Sequence, residues 1–270
     1  METHRNHRRK VWQAGRFAQS ARTLPAEVPA AISYNGTTQA VMMATPADLA
    51  DFARGFTLTD GIAAPDEISE IEVMETDGGY DLQIWLAGGA ETRLAARRRT
   101  MAGPVGCGLC GIESIAEALR PARAVVATLA LSPQDVTRAM ALLPSGQALH
   151  DATRAAHAAA FYIPGRGIVA LREDVGRHNA LDKLAGAIVA AGIDAGTGAV
   201  VLTSRVSIDM VQKCTALGAP ILIAASAPTS AAVVMADAAG LTLIALARGD
   251  GFELFTHAFR LIETEAAHVA

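Results

Sequence analysis

The residues best suited to chemistry are the two thiols of a Cys-x-x-Cys motif, Cys107 and Cys110. Glycines stand around and within the motif, at positions 103, 106, 108 and 111. Two thiols at this spacing are typical of a redox dithiol, of half a zinc site or of a sulfur-carrying pair. Three arginines, at 97, 98 and 99, lie just upstream, and positive charge there would lower a thiol pKa and favour the nucleophilic thiolate.

The chain offers this pair few partners for a metal site. A tetrahedral zinc site needs two more ligands, and there is no second Cys-x-x-Cys motif. The third cysteine, Cys214, falls on the apolar stripe of a predicted helix, which indicates an inert core thiol. A thioredoxin-like dithiol would sit at a helix start directly after a buried strand, whereas glycine-rich sequence surrounds this pair. The pattern favours a mobile loop that delivers a cargo, with zinc as the alternative.

Polar residues also follow four predicted strands that are themselves apolar. After these strands come Arg172 to Asn179, Ser204-Arg205, Ser226 to Ser230, and Arg248-Gly-Asp-Gly251. In an open α/β sheet, ligands bind outside the carboxyl ends of the strands, so the four loops predict one crevice. Arginines and helix N-termini suit an anionic phosphate ligand, while Asp174 and Asp250 are candidate acceptors for a guanine edge or a ribose hydroxyl. Any single loop is explained as well by an ordinary capped turn.

Five further polar residues lie on predicted helices. His178 lies near a helix start, where the positive end of the dipole disfavours imidazolium, so it is either a neutral donor to a ligand or a capping residue. Lys183, two turns into the same helix, reads as a solvated or ion-paired residue. His157 shares one face of a predicted helix over 151–161 with His150 and Arg154, which indicates polar core or interface residues, with a position facing a ligand as the alternative. At the end of this helix, Phe161-Tyr-Ile predicts a strand that forms a hairpin with 168–171.

The elements that must position these groups form two units after a flexible tail over residues 1–16. Residues 17–124 predict a small α+β domain, with a helix over 47–58 capped by Thr45, a hairpin around 77–79, and the mobile cysteine loop near its end. Residues 125–270 alternate strands and helices, which predicts a mostly parallel sheet in a three-layer α/β/α domain. Hydrophobic residues make up 51% of the chain and aromatics only 4%, a composition that favours close-packed helices on a buried sheet.

Composition also narrows the class of protein. The net charge is −4, and no basic run is long enough to indicate a nucleic-acid surface. No apolar segment follows the basic N-terminus, so no signal peptide is predicted. The apolar stretch 220–247 is interrupted by Pro228 and Asp237, which argues against a membrane helix. Three cysteines make no disulfide framework, and we expect a soluble, cytoplasmic protein.

Five motifs in order resemble the formate dehydrogenase accessory sulfurtransferase family, FdhD. They are Cys107-Gly-Leu-Cys-Gly111, His150-Asp-Ala-Thr-Arg-Ala-Ala-His157, Glu173-Asp-Val-Gly-Arg-His-Asn-Ala-Leu-Asp-Lys183, Ser204-Arg205 with Met210-Val-Gln-Lys213, and Ser226-Ala-Pro-Thr229. The resemblance spans about Tyr34 to Phe259, and the long string ending at Lys183 is its most specific part.

The resemblance implies a cytidine-deaminase-like second domain without zinc-deaminase chemistry, whose His-x-Glu and Pro-Cys-x-x-Cys constellation the sequence lacks. It implies a homodimer with no metal of its own, which takes sulfur from a cysteine desulfurase and passes it to the bis-molybdopterin guanine dinucleotide molybdenum cofactor for formate dehydrogenase. By position, Cys107 is the persulfide-bearing residue and Cys110 its partner.

The resemblance also implies a cofactor-binding strand end. It comprises Leu246, Ala247, Arg248, Gly249, Asp250 and Gly251, to which the strand-end argument adds Ser204, Arg205, Ser226 and His178. Many relatives carry an aromatic residue in place of Leu246 and often a basic one in place of Gly251, which puts a stacking or phosphate contact in question. A cofactor-binding chaperone without sulfur chemistry and a zinc-stabilised regulatory protein are the alternatives.

Overall fold

The computed structural model describes residues 2–94 and 120–262 of the chain. The strands in these ranges are β1 (His4–Gln13), β2 (Arg16–Pro25), β3 (Val28–Tyr34), β4 (Thr37–Ala44), β5 (Ile68–Thr76), β6 (Gly79–Leu86), β7 (His157–Ile163), β8 (Gly167–Asp174), β9 (Ala199–Leu202), β10 (Ile221–Ala224), β11 (Thr242–Arg248) and β12 (Gly251–Leu254). The α-helices with both ends there are α1 (Leu49–Thr59), α2 (Pro133–Leu142), α3 (Ala148–Thr153), α4 (Arg177–Ala190), α5 (Ile208–Leu217) and α6 (Ser230–Ala239).

A six-stranded sheet in the order β12-β11-β10-β9-β7-β8 forms the centre of the larger part. Strands β9, β10 and β11 are parallel, and β7 is antiparallel to both of its neighbours, so β8 points the same way as β9. One face buries the apolar sides of α4, α5 and α6, and the other buries α2. The predicted three-layer α/β arrangement is confirmed, while its cytidine-deaminase-like character stays a prediction.

The apolar stretch 220–247 is divided among three of these elements, the strand β10, the helix α6 and the strand β11. Pro228 falls in the loop between β10 and α6, and the next residue, Thr229, accepts a hydrogen bond from Ala232 N at 3.2 Å and caps α6. No helix within residues 2–94 and 120–262 is long and apolar enough to span a membrane.

A smaller, four-stranded sheet in the order β4-β3-β6-β5 packs one face against α1. Alternate residues of the central strands, such as Ile32 and Leu82, point at Phe52 of the helix and are fully buried with it. The hairpin predicted around 77–79 joins β5 and β6, with Thr76 opposite Gly79. The division of the chain at residues 124 and 125 stays a prediction.

Two glycines let the helices of the two parts touch. A Cβ atom on Gly55 of α1 would collide with the carbonyl oxygen of Asp182 in α4, and one on Gly186 would collide with that of Asp51. Only a residue without a side chain permits such a close backbone approach. The α1–α4 crossing therefore fixes the smaller sheet against the larger one.

The prediction of a helix over 151–161 is wrong. α3 ends at Thr153, Arg154 adopts a left-handed φ of 58°, and β7 begins at His157. The alanine-rich sequence has helical propensity, but β7 is a buried strand between β8 and β9, and tertiary burial overrides propensity there. The two histidines of this stretch, His150 and His157, consequently do not share a helix face with Arg154.

The expectation of an unpaired tail over residues 1–16 is also corrected. β1 pairs with β2 along its full length, through a turn whose Ala14 and Gly15 have φ of 50° and 78°. Positive φ at both central residues is the geometry of a tight β-hairpin turn. The hairpin is exposed on both faces, so its sequence carries none of the apolar alternation that reveals half-buried strands.

Candidate functional site

The carboxyl ends of β8, β9, β10 and β11 meet at one edge of the larger sheet, as the sequence predicted. Backbone hydrogen bonds join the loops that follow β9 and β10: Val206 N donates to Ala227 O, and Thr229 N donates to Val206 O at 2.9 Å. The Arg248 side chain links β11 to this edge through Nε, which donates to the Ala225 carbonyl at 2.8 Å. Ser204, Arg205, Ser226 and Arg248 thus lie on adjacent strand ends, and their role in ligand binding stays a prediction.

The end of β11 carries a bulge that directs a side chain outward. The register with β12 shifts between Ala245 and Arg248, and Leu246 between them has a φ of 53°. A left-handed backbone is costly for leucine, and such strain is concentrated at functional sites. Leu246 is 38% exposed, so its apolar side chain stands beside the polar crevice. The two residues after Arg248, Gly249 and Asp250, form the exposed turn into β12.

The start of α4 adds two side-chain atoms without hydrogen-bond partners. Within the described residues, Arg177 Nε and His178 Nε2 are both buried from solvent and both unpaired. Burial and the neighbouring Arg177 charge lower the pKa of His178 to about 4, against the opposing charge of Asp209, whose Oδ2 lies 3.7 Å from Nε2. His178 is therefore neutral near pH 7, as predicted from its helix position, and here burial is the main cause.

His157 and Arg177 lie at this edge too, although neither was among the predicted cofactor-binding residues. Burial lowers the pKa of His157, and the positive charges of Arg177 and Arg205 lower it further. His157 begins β7, directly opposite Asp174 at the end of β8, so it reaches the same edge from an antiparallel strand. The end of this strand, Phe161-Tyr-Ile, was predicted as a strand that pairs with 168–171, but the residues before it were assigned to a helix, which hid the placement of His157.

His150 is held next to this edge by Glu173. The Glu173 carboxylate accepts hydrogen bonds from Leu149 N at 2.7 Å and His150 N at 2.8 Å, at the start of α3. An acidic side chain is favourable at a helix N-terminus, where backbone N–H groups are unsatisfied. The ring of His150 is in turn fixed by its Nδ1, 3.1 Å from Ala156 O.

Asp174, expected as a ligand acceptor, is instead fully buried between the two parts of the molecule. Its carboxylate accepts from Lys183 Nζ at 2.6 Å, from the backbone N of Thr45 at 2.9 Å, and from Asn179 Nδ2 at 3.0 Å. Lys183, also fully buried, donates to Thr45 O at 2.9 Å. The suggestion that Asp174 binds a guanine edge or a ribose hydroxyl is therefore wrong, and Lys183 is ion-paired rather than solvated.

Thr45 serves this junction rather than the helix it was expected to cap. Its Oγ1 accepts a hydrogen bond from Val175 N at 3.1 Å. α1 begins at Leu49, and its N-cap residue is Asp48, whose side chain makes no cap hydrogen bond. The Thr-Pro pattern that predicted a cap therefore marks the contact between the two parts.

A second buried ion pair lies farther along the α1–α4 junction. Lys213 Nζ of α5 donates to both oxygens of Asp182, at 2.8 and 3.0 Å, and to Asp60 Oδ1 at 2.9 Å. These two carboxylates raise the pKa of Lys213 above its ordinary value and keep it charged. The neighbouring Cys214 is fully buried and burial raises its thiol pKa, which confirms the prediction of an inert core thiol.

Cys107 and Cys110 lie outside the described residues, as do the three arginines before them. Residues 2–94 and 120–262 contain no group of three or more His, Cys, Asp or Glu side chains placed to hold a metal ion. The part of the site that the structure describes is therefore the crevice at the strand ends. It presents two arginines, Arg177 and Arg205, with His157 and His178, and suits an anionic group with hydrogen-bond acceptors.

Both the sequence and the fold of this chain are similar to those of known proteins. The model of the FdhD/NarQ family matches residues 25–262. The "Sulfur carrier protein FdhD" of Agrobacterium fabrum is 53% identical over 266 residues, covering 96% of this chain and 97% of the relative, and that of Variovorax paradoxus is 48% identical over 87% of this chain and 85% of the relative. The crystal structure of "a putative formate dehydrogenase accessory protein" from Desulfotalea psychrophila superposes with a TM-score of 0.76, at 24% identity over 97% of this chain and all of that one, which supports the fold.

Proposed function

Because the chain belongs to the FdhD/NarQ family, we propose that it is a sulfur carrier whose Cys107 bears the sulfur as a persulfide. The donor is a cysteine desulfurase, and the acceptor is the bis-molybdopterin guanine dinucleotide molybdenum cofactor of formate dehydrogenase. The names of the relatives support sulfur carriage, and the likeness to a formate dehydrogenase accessory protein supports service to that enzyme. The protein works as a homodimer in the cytoplasm.

Loading is a thiolate exchange. The Cys107 thiolate attacks the outer sulfur of the desulfurase persulfide, the S–S bond of that persulfide breaks, and the desulfurase cysteine leaves as a thiolate. Delivering the sulfur as sulfide requires two electrons. The Cys110 thiolate supplies them by attacking Cys107 Sγ, which forms a Cys107–Cys110 disulfide and releases hydrosulfide to the molybdenum. A cellular thiol reductant then restores both thiols.

The crevice at the strand ends holds the cargo through its guanine dinucleotide. The observation that carries this assignment is the pair of buried, unpaired atoms Arg177 Nε and His178 Nε2 at the N-terminus of α4. An unsatisfied buried donor costs roughly 1–3 kcal/mol, so a ligand acceptor that pairs with it is favoured. Phosphate oxygens provide that acceptor, and the helix N-terminus adds to their attraction.

Each residue of the crevice has a distinct part in holding the nucleotide. Arg205 is exposed and offers a charged donor to the phosphates from the end of β9. Arg248, held through Nε, keeps its remaining guanidinium N–H groups for the same anion. Asp250 is exposed in the next turn, where its carboxylate accepts from the guanine edge. The outward side chain of Leu246 provides an apolar contact to the base.

Two measurements test the proposal that Cys107 carries sulfur. The first is mass spectrometry of the chain after incubation with a cysteine desulfurase and cysteine, where Cys107 should gain the mass of one sulfur atom. The second is formate dehydrogenase activity in cells carrying only Cys107→Ala, which should be lost. Full activity with Cys107→Ala would leave the crevice as a cofactor-binding chaperone site and would overturn the sulfur-carrier proposal.

A matched control separates chemistry from folding. Cys214→Ala removes the buried cysteine of α5, which has no access to a partner protein. We expect this variant to lose some stability through packing and to keep both persulfide loading and formate dehydrogenase maturation.

A further inference from the structure

The β1–β2 hairpin is an exposed ribbon of unusual charge. It carries six lysines and arginines and no aspartate or glutamate, in a chain whose net charge is −4, so the rest of the chain carries a net charge of −10. Nearly every residue of both strands is exposed. At its tip Trp12 and Phe17 are 62% and 70% exposed and lie against each other at 4.8 Å.

The ribbon is attached to the rest of the chain near its base, where Arg22 Nη2 donates to Thr153 O at 3.4 Å. The hydrogen bond from Ala26 N to Thr3 O, at 2.7 Å, closes the hairpin itself. An isolated two-stranded hairpin is marginally stable in water, and a further strand or a packed surface is needed to stabilise it. Two large aromatic rings in solvent also mark an interaction surface. The ribbon therefore needs a covering surface that is both acidic and apolar.

The smaller sheet presents such a surface on the face away from α1, which we call the open face. By register, Glu70 lies opposite Trp85 and Met74 opposite Asp81, and all four point to this face. Val41 and Met43 of β4 lie on the same face, opposite Ala31 and Pro29. Val41, Met43, Met74 and Trp85 are all exposed.

The open face also contains an acceptor without a donor. Gln83 Oε1 is buried and unpaired within the described residues, although Gln83 Nε2 donates to Asp81 Oδ2 at 2.7 Å. Glu72, opposite Gln83, contributes a carboxylate whose Oε2 lies 3.5 Å from Trp85 Nε1. An arginine or lysine placed above this face would satisfy the amide oxygen and neutralise the carboxylates.

We propose that the ribbon docks on the open face of a second copy of this chain. Both complementary surfaces occur on every protomer, so a two-fold axis forms the contact twice, and each chain gives one ribbon and receives one. On the ribbon, Arg8, Lys10 and Trp12 share one side with Phe17, as the register of β1 and β2 requires. That side meets the acidic and apolar residues of the partner.

The experiment reverses the charges of the two surfaces in turn. Analytical ultracentrifugation of the full-length chain then measures the dimer dissociation constant. Arg8→Glu/Lys10→Glu reverses the ribbon, and Glu70→Lys/Glu72→Lys reverses the open face. Each double variant alone forms two repulsive contacts, and its dimer should weaken by on the order of tenfold or more. An equimolar mixture of the two variants can form a heterodimer. In one of its two contacts, the reversed ribbon meets the reversed open face, and the charges attract. The second contact joins a wild-type ribbon to a wild-type open face, so dimer formation should return.

The mixture also protects the test against misfolding, because a variant that recovers dimerisation in it must be folded. Arg5→Glu/Arg9→Glu is the matched control, since these arginines alternate onto the other side of β1 and should leave the dimer nearly unchanged. A monomeric wild-type chain at micromolar concentration, or a dimer that neither double variant weakens, would overturn the proposal. So would a mixture that remains monomeric, since the ribbon would then have a different partner.

Discussion

Two polar regions of this molecule lie within one helix length of each other and follow opposite rules. In the junction between α1 and α4, Lys183 and Asp174 are fully buried, and the short contacts of this pair continue to the backbone of Thr45. In the crevice, Arg177 Nε and His178 Nε2 are buried from solvent and have no hydrogen-bond partner among the described residues. The polar groups of the junction are satisfied by hydrogen bonds within the protein, whereas the crevice contains polar atoms that a ligand can pair with.

Residues of the junction and residues of the crevice come from a single sequence motif. The string from Glu173 to Lys183 reads as one polar signature, yet Asp174, Asn179 and Lys183 join the two sheets, while Arg177 and His178 face the crevice. A buried charge is tolerated only when it is paired, so the junction residues specify how the parts meet. The unpaired polar atoms of the crevice lower the stability of the free protein, and a bound ligand can offset that loss.

The largest effect is expected at the junction. Lys183→Met removes the ammonium and leaves the Asp174 carboxylate buried, which should lower the free energy of unfolding by about 3–5 kcal/mol. Denaturant unfolding measures the loss. The double variant Lys183→Met/Asp174→Asn removes both charges and should recover part of it, and a Lys183→Met protein as stable as wild type would contradict the structural role of the pair.

In the crevice the expected effect is on binding. Arg248→Ala should weaken guanosine diphosphate binding by about 1.5–3 kcal/mol, the range for a charged hydrogen bond to phosphate. Calorimetry gives the affinity. Arg154→Ala removes the same charge from an exposed residue that pairs with Asp151, and it should leave the affinity unchanged. Equal affinities for wild type and Arg248→Ala would remove Arg248 from the site.

The pH dependence of stability should carry the signature of His178. Its pKa is lowered to about 4 in the folded chain, below the ordinary value of 6.5, so the unfolded chain binds more protons between these values. The stability from the neutral ring is present above about pH 6.5 and is lost as the pH falls through about 4.

His178→Asn should remove this dependence. Between pH 7 and pH 5, wild type should lose about 1 kcal/mol of stability relative to the variant, a figure reduced for the partly exposed ring. Unfolding curves at both pH values measure the difference, and an imidazole that titrates near 6.5 by NMR would contradict the predicted environment.

The smallest effect is expected at Leu246. Glycine removes the cost of its positive φ but loses more chain entropy, so Leu246→Gly should raise the free energy of unfolding by about 0.5–1 kcal/mol. Ala247→Gly, at the buried neighbouring position, should lower it by roughly the same amount. A destabilised Leu246→Gly variant would show that the bulge carries no releasable strain.

The sequence was most informative where apolar periodicity and fixed turn chemistry agree. The carboxyl ends of β9, β10 and β11 were predicted within two residues, because their buried apolar runs end at hydroxyl residues or at an arginine followed by glycine. The convergence of four strand ends followed from chain direction alone. Only the end of β7, Phe161-Tyr-Ile, was predicted as a strand, since Ala158-Ala-Ala before it is compatible with either element and only its place between two strands decides it.

The partners of polar side chains could not be predicted in the same way. Whether Asp174 faces a ligand or is covered by the backbone of Thr45 depends on how the smaller sheet docks, and that docking is determined by Gly55 and Gly186, residues with no polar signal of their own. The family resemblance identified the motif, but it did not indicate which of its residues join the two sheets and which face the crevice. His157 and Arg177 become visible as site residues only when the strand and the helix start are placed side by side.

The most direct test of the division is to measure stability and binding together on Arg177→Gln. We predict that guanosine diphosphate binds this variant on the order of tenfold more weakly than wild type, while the free energy of unfolding is unchanged or higher, because an unpaired buried donor has been removed. An unchanged affinity, together with a loss of stability as large as that of Lys183→Met, would contradict the account and place Arg177 with the junction residues.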